Sequence, residues 1–356
     1  MSRPRIVTVV GARPQFIKLA PVAKALAAVA DEVLVHSGQH YDEKLDAIFF
    51  EELGLPQPDH HLRVGSAGHG VQTARILEGV ERVIQEESPD ALLVYGDTNT
   101  TLGAAIAASK LHVPIFHVEA GLRSFDRAMP EEVNRVLTDH VSELLFAPTE
   151  VARGHLEKEG ITKGVHVVGD VMVDAVHAAL GQGPGQKTGG DAYVAATLHR
   201  AENTDDPARL RAILTALAKA PLPVRLPLHP RTQAAVARWG LEPLLEADGL
   251  EILPPLGYGE MLRLVQGAQA VVTDSGGLQK EAYVIGTPCV TVRGTTEWPE
   301  TIEAGWNRLC PPEEAAILAA LEACQRPDGP RDAYGDGQAS HRIAKVIQEW
   351  ALDRIG

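Results

Sequence analysis

Cysteine is scarce: Cys289, Cys310 and Cys324 are the only three, and none forms a Cys-x-x-Cys spacing. An odd, scattered set points to reduced thiols and excludes a disulfide framework or zinc knuckle. No Asp-x-Asp pair occurs, and His60, His61 and His69 lack ligand spacing, so no metal is expected. Lysines and arginines form no basic stripe and the formal net charge is −14, which argues against a nucleic-acid partner. No run of about 18 apolar residues exists, so no membrane partner is expected. Arg5–Val10 is too short for the apolar region of a signal peptide and leads straight into Gly11 and Arg13. A cytoplasmic location is the expectation. What remains is a 356-residue chain, 45% hydrophobic and 22% charged. Those values fit a soluble globular protein of two domains.

Short β-branched runs alternate with helical patterns. The runs include Ile6–Val10, Val33–His36, Ala91–Tyr95, Ile115–Glu119 and Leu144–Ala147. Between them lie Phe16–Ala28, Val71–Glu87 and Leu102–Lys110. This alternation predicts parallel sheets with crossover helices. It breaks at Gly181–Gly190, where five glycines and a proline in ten residues mark a flexible linker. It resumes with Tyr193–Leu198, Val224–Leu228, Glu251–Leu253, Ala270–Thr273 and Pro288–Val292. The expected fold is therefore α/β, with two doubly wound domains joined by a hinge. Ligands in such sheets bind at the carboxyl ends of strands, so an interdomain cleft is expected.

Most candidate residues sit just past strand ends. After Ala270–Thr273 come Asp274, Ser275, Gly276 and Gly277, and then a helix expected to begin near Leu278. A helix start with free N–H groups and no Cβ on the glycines is a phosphate site. Glu281, about one turn inside, could accept a hydrogen bond from a sugar hydroxyl. A Ser-capped helix after a glycine turn reads equally well. Arg13 and Lys18 follow the first strand, where a guanidinium and an ammonium could face a diphosphate, or simply be solvated. Asp97 follows Ala91–Val94 and is either functional or an N-cap; Thr98 or Asn99 is the other capping candidate. Glu119 closes an apolar strand, where burial raises a carboxyl pKa unless a cation is near. Arg123 is the expected partner. Glu131 and Glu132 open a helix behind Pro130, as acidic residues do for dipole reasons alone. His199 with Arg200, and His229 with Arg231, follow two successive strands of the second half.

Several segments together resemble a known family. They are Gly11-Ala-Arg-Pro-Gln-Phe-Ile-Lys18, Gly96-Asp-Thr-Asn-Thr-Thr101, His117-Val-Glu-Ala-Gly-Leu-Arg123 and Pro130-Glu-Glu-Val-Asn-Arg135. His199-Arg-Ala-Glu-Asn203, Thr273-Asp-Ser-Gly-Gly277 and Tyr334-Gly-Asp-Gly-Gln-Ala339 complete the series. In this order they resemble the non-hydrolysing UDP-N-acetylglucosamine 2-epimerases, over about Arg5 to Val346. The resemblance implies two Rossmann-like domains facing across a cleft, as in glycosyltransferases of the GT-B type. It implies an N-terminal domain of residues 1–172 joined by a C-terminal helix, about 338–356, and a UDP-binding domain of residues 173–337. It further implies interconversion of UDP-GlcNAc and UDP-ManNAc by elimination and re-addition of UDP, for polysaccharide biosynthesis.

Roles carry over by position. Asp97, Glu119, Glu131 and His199 match the family's catalytic residues. Arg13, Lys18, Arg135, His229, Ser275, Gly276, Gly277 and Glu281 match its substrate and UDP contacts, and Leu253–Met261 its uracil loop. Gln39 and His40 match part of a site at which some members bind their own substrate as effector. A UDP-amino sugar is the implied partner, in a homodimer with no cofactor. Trp298 after Thr296-Glu297, Ala201 after His199-Arg200, and Leu256 and Met261 depart from the commonest pattern. They resemble the branch acting on UDP-2,3-diacetamido-2,3-dideoxyglucuronate. A hydrolysing relative, a glycosyltransferase and a non-catalytic nucleotide-sugar binder are the other readings. The acidic set favours an epimerase, because fold alone decides no function.

Overall fold

The computed structural model describes residues 3–39, 49–181 and 191–355. The chain divides into two compact units, Met1–Ala175 with Tyr334–Gly356, and Val176–Ala333. The first unit holds strands β1 (Arg5–Val10), β2 (Asp31–His36), β3 (His60–His61), β4 (Ala91–Tyr95), β5 (Ile115–Val118), β6 (Leu144–Ala147) and β7 (Val165–Val167). They form one seven-stranded sheet in the order β3-β2-β1-β4-β5-β6-β7. The second unit holds β8 (Val194–Thr197), β9 (Val224–Pro227), β10 (Leu250–Leu253), β11 (Ala270–Thr273), β12 (Cys289–Val292) and β13 (Asn307–Cys310). Its order is β10-β9-β8-β11-β12-β13. Every pairing is parallel. Each unit is thus doubly wound, the α/β class that the alternating pattern predicts.

Strand order reverses between β1 and β4 in the first sheet and between β8 and β11 in the second. Loops at such a switch point part to opposite faces and leave a crevice at the strands' carboxyl ends. Topology therefore singles out four turns, those starting at Gly11, Gly96, Leu198 and Asp274.

The central strands are apolar because both faces are covered. In the first unit Val7, Val9, Leu92 and Val94 pack with Ile76, Val80, Ala104 and Ala108 of the helices His69–Glu87 and Asn99–Lys110. These helices approach closely: a Cβ at Gly103 would lie 2.9 Å from Ile76 Cγ2. In the second unit Val194, Ala196, Val272, Val290 and Leu226 form the equivalent core with Leu210, Leu214 and Leu217.

The helix Ala339–Ile355 packs on the first unit, beside the helix Arg13–Leu26. The buried Asp174 carboxylate caps it, accepting from Ala339 N at 3.2 Å and Ser340 N at 2.9 Å. Trp350 sets its ring edge-on to Phe116 at 4.9 Å and donates Nε1–H to Glu143 at 2.8 Å. Asp174→Ala should cost about 1–2 kcal/mol, the worth of a lost cap. Hydrogen exchange should show the loss concentrated in the amides of Ala339–Ile355; uniform loss would argue against a local cap.

Three strands fall outside the expected runs: β3, β7 and β13. All are sheet edges, half covered and accordingly less apolar. The expected linker lies almost wholly in residues 182–190, outside the described residues, as does His40.

Candidate active site

The first turn explains its own glycine. A Cβ at Gly11 would collide with Ser37 Oγ and Thr100 Oγ1. Gln15, buried at the start of the next helix, fixes the turn. Its Oε1 accepts from Gly11 N at 2.8 Å and Ala12 N at 3.1 Å. Its Nε2 donates to the Tyr95 carbonyl at 2.8 Å. One side chain thus ties the ends of β1 and β4. Arg13 stands exposed at the helix start, its guanidinium 4.0 Å from the centre of the Phe49 ring.

Lys18, from the same helix, forms a buried ion pair with Glu119. The sequence suggested Arg123 as that partner, and the structure corrects this. Arg123 bonds Asp139 at 2.7 Å and Glu159 at 2.8 and 2.9 Å. Burial alone would lower the Lys18 pKa, but Glu119 and then Asp97 outweigh it and raise it. Glu119 sits at φ +74°, a conformation a non-glycine residue adopts at a cost of about 1–3 kcal/mol. The turn is held because Glu119 N and Ala120 N both donate to the Phe146 carbonyl at 3.1 Å. Gly96, at φ +64°, leaves room beside the pair. A Cβ there would lie 3.3 Å from Glu119 Oε2 and 3.5 Å from Lys18 Nζ.

Asp97 follows directly. Its Oδ2 accepts from Arg135 Nε at 2.9 Å and Nη2 at 2.6 Å. The cap of the following helix is Thr98, whose Oγ1 accepts from Thr101 N, so Asp97 is not spent on capping. Arg135 is engaged by Asp97 and, at 3.2 Å, by Glu132. In the helix Pro130–Val141 the two leading glutamates differ. Glu132 accepts from Ser124 N at 2.8 Å, Ser124 Oγ at 3.0 Å and Phe125 N at 2.9 Å. Burial would raise its pKa, but these bonds and Arg135 outweigh it and lower it. Among the described residues, the Glu131 side chain has no hydrogen bond or ion pair.

Behind these turns lies a polar group with no exposure. His117 and Asp139 are buried, and His117 Nδ1 meets Asp139 Oδ1 at 2.7 Å. Burial would raise the Asp139 carboxyl, but His117 and then Arg123 outweigh it and hold it below its ordinary value.

In the second unit Asp274, fully buried, does for β8 and β11 what Gln15 does for β1 and β4. It accepts from His199 N at 3.1 and 3.2 Å, Arg200 N at 3.0 Å and Asn203 Nδ2 at 3.2 Å. The His199 ring is thereby placed beside His229, with centroids 5.5 Å apart. His229 also caps its own helix, Nδ1 accepting from Arg231 N at 3.1 Å. The helix after β11 runs Gly276–Ile285, two residues earlier than expected, with Ser275 as N-cap. Glu281 lies within it, buried.

Two arginines flank that helix start: Arg200, noted beside His199, and Arg293, which the sequence did not single out. A Cβ at Gly276 would lie 3.3 Å from Arg200 Nη2 and 3.8 Å from Arg293 Nη1. Arg293 follows β12 and pairs with both oxygens of Glu297 at 2.9 Å. Trp298 donates Nε1–H to the Gly276 carbonyl at 2.8 Å, and the buried Lys280 Nζ lies 3.9 Å from its ring centre. Gly277 is exposed, with nothing within 4 Å of where a Cβ would stand. The signal for Arg293 was its place just past a strand end, shared with every other site turn.

In each unit the candidate residues gather on the switch-point side of the sheet. Asp97, Glu119, Lys18 and Arg135 are linked in the first; in the second, His199 and the Ser275 helix start adjoin Asp274, with His229 beside His199.

Known proteins resemble this chain over nearly its whole length. A family model described as UDP-N-acetylglucosamine 2-epimerase matches residues 24–348. The UDP-2,3-diacetamido-2,3-dideoxy-D-glucuronate 2-epimerase of Pseudomonas aeruginosa is 48% identical, over 96% of this chain and 99% of its own. A UDP-N-acetylglucosamine 2-epimerase homolog of Methanococcus maripaludis is 45% identical, over 97% and 99%. The crystal structure of Methanocaldococcus jannaschii UDP-GlcNAc 2-epimerase in complex with UDP-GlcNAc and UDP superposes with a TM-score of 0.83 at 40% identity, covering 97% of this chain and 99% of that one. Matches of this extent place the chain in the UDP-N-acetylglucosamine 2-epimerase family.

Proposed function

We propose that this chain is an isomerase that inverts C2 of a UDP-2-acetamido sugar, interconverting UDP-GlcNAc and UDP-ManNAc without hydrolysis. The observation that carries the reading is the pairing of Glu119 with Lys18 beside Gly96, and of Asp97, the next residue, with Arg135. C2 of an amido sugar has no neighbouring carbonyl, so its proton is not acidic. Loss of UDP from C1 supplies the missing driving force. The C2–H electron pair becomes the C1=C2 bond of a glycal, and the C1–O pair leaves with UDP. Re-addition of UDP to C1, with a proton delivered to the other face of C2, gives the epimer. No electron or water is consumed, and no cofactor is required.

Such a reaction needs carboxyl groups able to give and take a proton. Asp97, Glu119 and Glu131 fill that role, with His199. The cations matter twice. An anionic diphosphate drawn towards Arg13, Lys18 or Arg135 competes with the carboxylates for them, and a carboxylate losing its cation becomes a stronger base. Ser275, Gly276 and Gly277 offer the helix N-terminus to the leaving diphosphate, with Arg200 and Arg293 beside it. Glu281 serves the ribose, His229 the nucleotide, and the segment Leu253–Met261 the uracil. Assembly as a homodimer, a substrate effector, a cytoplasmic location and a place in polysaccharide synthesis belong to the same reading.

A second substrate is favoured by a specific observation. Trp298 buttresses the proposed diphosphate helix, and the relative acting on the diacetamidoglucuronate is 48% identical. One experiment tests both. The protein is incubated in D₂O with each UDP-sugar and followed by NMR. Deuterium at C2 in a manno-configured UDP-sugar is the expected result, and the faster substrate identifies the branch. Free UDP with a free sugar would move the assignment to hydrolysing relatives; no exchange on either sugar would reject it.

A further inference from the structure

β5 buries one histidine in an apolar run, and the proposed chemistry gives it no task. His117 is 0% exposed. Its Nδ1 lies 2.7 Å from Asp139 Oδ1 and its Nε2 lies 2.8 Å from the Gly96 carbonyl oxygen. The Gly96 carbonyl oxygen can only accept, so Nε2 must carry the N–H, and Nδ1 meets Asp139 Oδ1 across a second proton. The ring is thus held from both sides, and Asp139 is itself held by Arg123.

Two turns hang from this cluster. The Gly96 carbonyl, held by Nε2, belongs to the residue before Asp97. Gly121 N donates to Asp139 Oδ2 at 3.1 Å, two residues after Glu119. Glu119 is kept at φ +74° against its own preference, so something must hold the segment around it. We infer that His117, held at Nε2 by the Gly96 carbonyl and at Nδ1 by Asp139, is a positioning residue that fixes the turns carrying Asp97 and Glu119. Its kinetic consequence rests on the C2-epimerase reading; its tautomer does not.

The test has two arms. In the wild-type protein, ¹⁵N NMR of the His117 ring should show Nε2 carrying a proton held by the Gly96 carbonyl. An unprotonated Nε2 would overturn the inference whether or not the protein is an epimerase. In the second arm, His117→Asn is too short to reach Gly96, whereas His117→Gln reaches as far as Nε2 and keeps a donor there. The Asn variant should lower kcat for C2 exchange by roughly 10–10²-fold, the scale of a misplaced catalytic group. KM for the UDP-sugar should move less than about 2-fold, and the Gln variant should recover most of the rate. A residue that acts through Asp97 has little left to lose once Asp97 is disabled. In an Asp97→Asn background, His117→Asn should therefore add less than about 3-fold. Equal losses in the Asn and Gln variants, or full additivity with Asp97→Asn, would show a merely structural histidine and overturn the proposal.

Discussion

Glu119→Gln should slow C2 exchange by roughly 10²–10⁴-fold, the usual contribution of a positioned acid or base. It should also destabilise the protein, and the two effects can be separated. Lys18 and Glu119 are 11% and 8% exposed. Removing one partner of a buried pair strands the other charge, at about 3–5 kcal/mol. Replacing both partners by groups of similar volume is often close to neutral. Lys18→Met combined with Glu119→Gln should therefore recover much of the thermal midpoint lost in the single variant. It should recover none of the activity, since the carboxylate is still absent. Activity that returned with stability would show that Glu119 only supports the fold, and the elimination chemistry would need another base.

Gly277→Leu should act in opposite directions on stability and on UDP binding. Glycine within a helix costs about 1 kcal/mol relative to alanine, and nothing lies within 4 Å of a Cβ at Gly277. The variant should fold at least as stably as the wild type. The same side chain would occupy the approach to the helix N-terminus, displacing a diphosphate from the backbone N–H groups. Each hydrogen bond to a charged group is worth about 1.5–3 kcal/mol, so losing two weakens UDP binding by roughly 10²–10⁴-fold. Calorimetry with UDP measures this directly. Unchanged affinity would mean the diphosphate is held elsewhere, and Ser275, Gly276 and Gly277 would revert to a capped turn.

The central strands of both sheets were legible because strands buried on both faces must be apolar, and β-branched runs announce them. The edge strands β3, β7 and β13 were not, since one flank faces no neighbour and their composition says little. The turns were legible where a glycine or a helix cap made them so, as at Gly11 and Ser275. Pairing across the chain was not. Lys18 and Glu119 are 101 positions apart, and sequence offered Arg123 instead because it is near in number. The left-handed turn at Glu119 sends the following residues elsewhere, and Arg123 ends on Asp139. Gln15, His117 and Asp274, the polar residues that organise the site, were seen only as members of turns and segments and were given no organising role. One signal could have found His117: a polar side chain in an otherwise apolar strand must be satisfied by something buried.

The helix Ala339–Ile355 belongs to the first unit yet follows the whole of the second along the chain. During synthesis the segment Val176–Ala333 is therefore complete before its neighbour is. Until that helix leaves the ribosome, the Asp174 carboxylate has no amides to cap and Phe116 has no Trp350 beside it. The first unit must wait, partly uncovered, for about 160 residues of another domain to be made, which takes roughly 10–30 seconds at ordinary rates of translation. A chain built in this order depends on protection of nascent apolar surface in a way that its finished stability does not reveal.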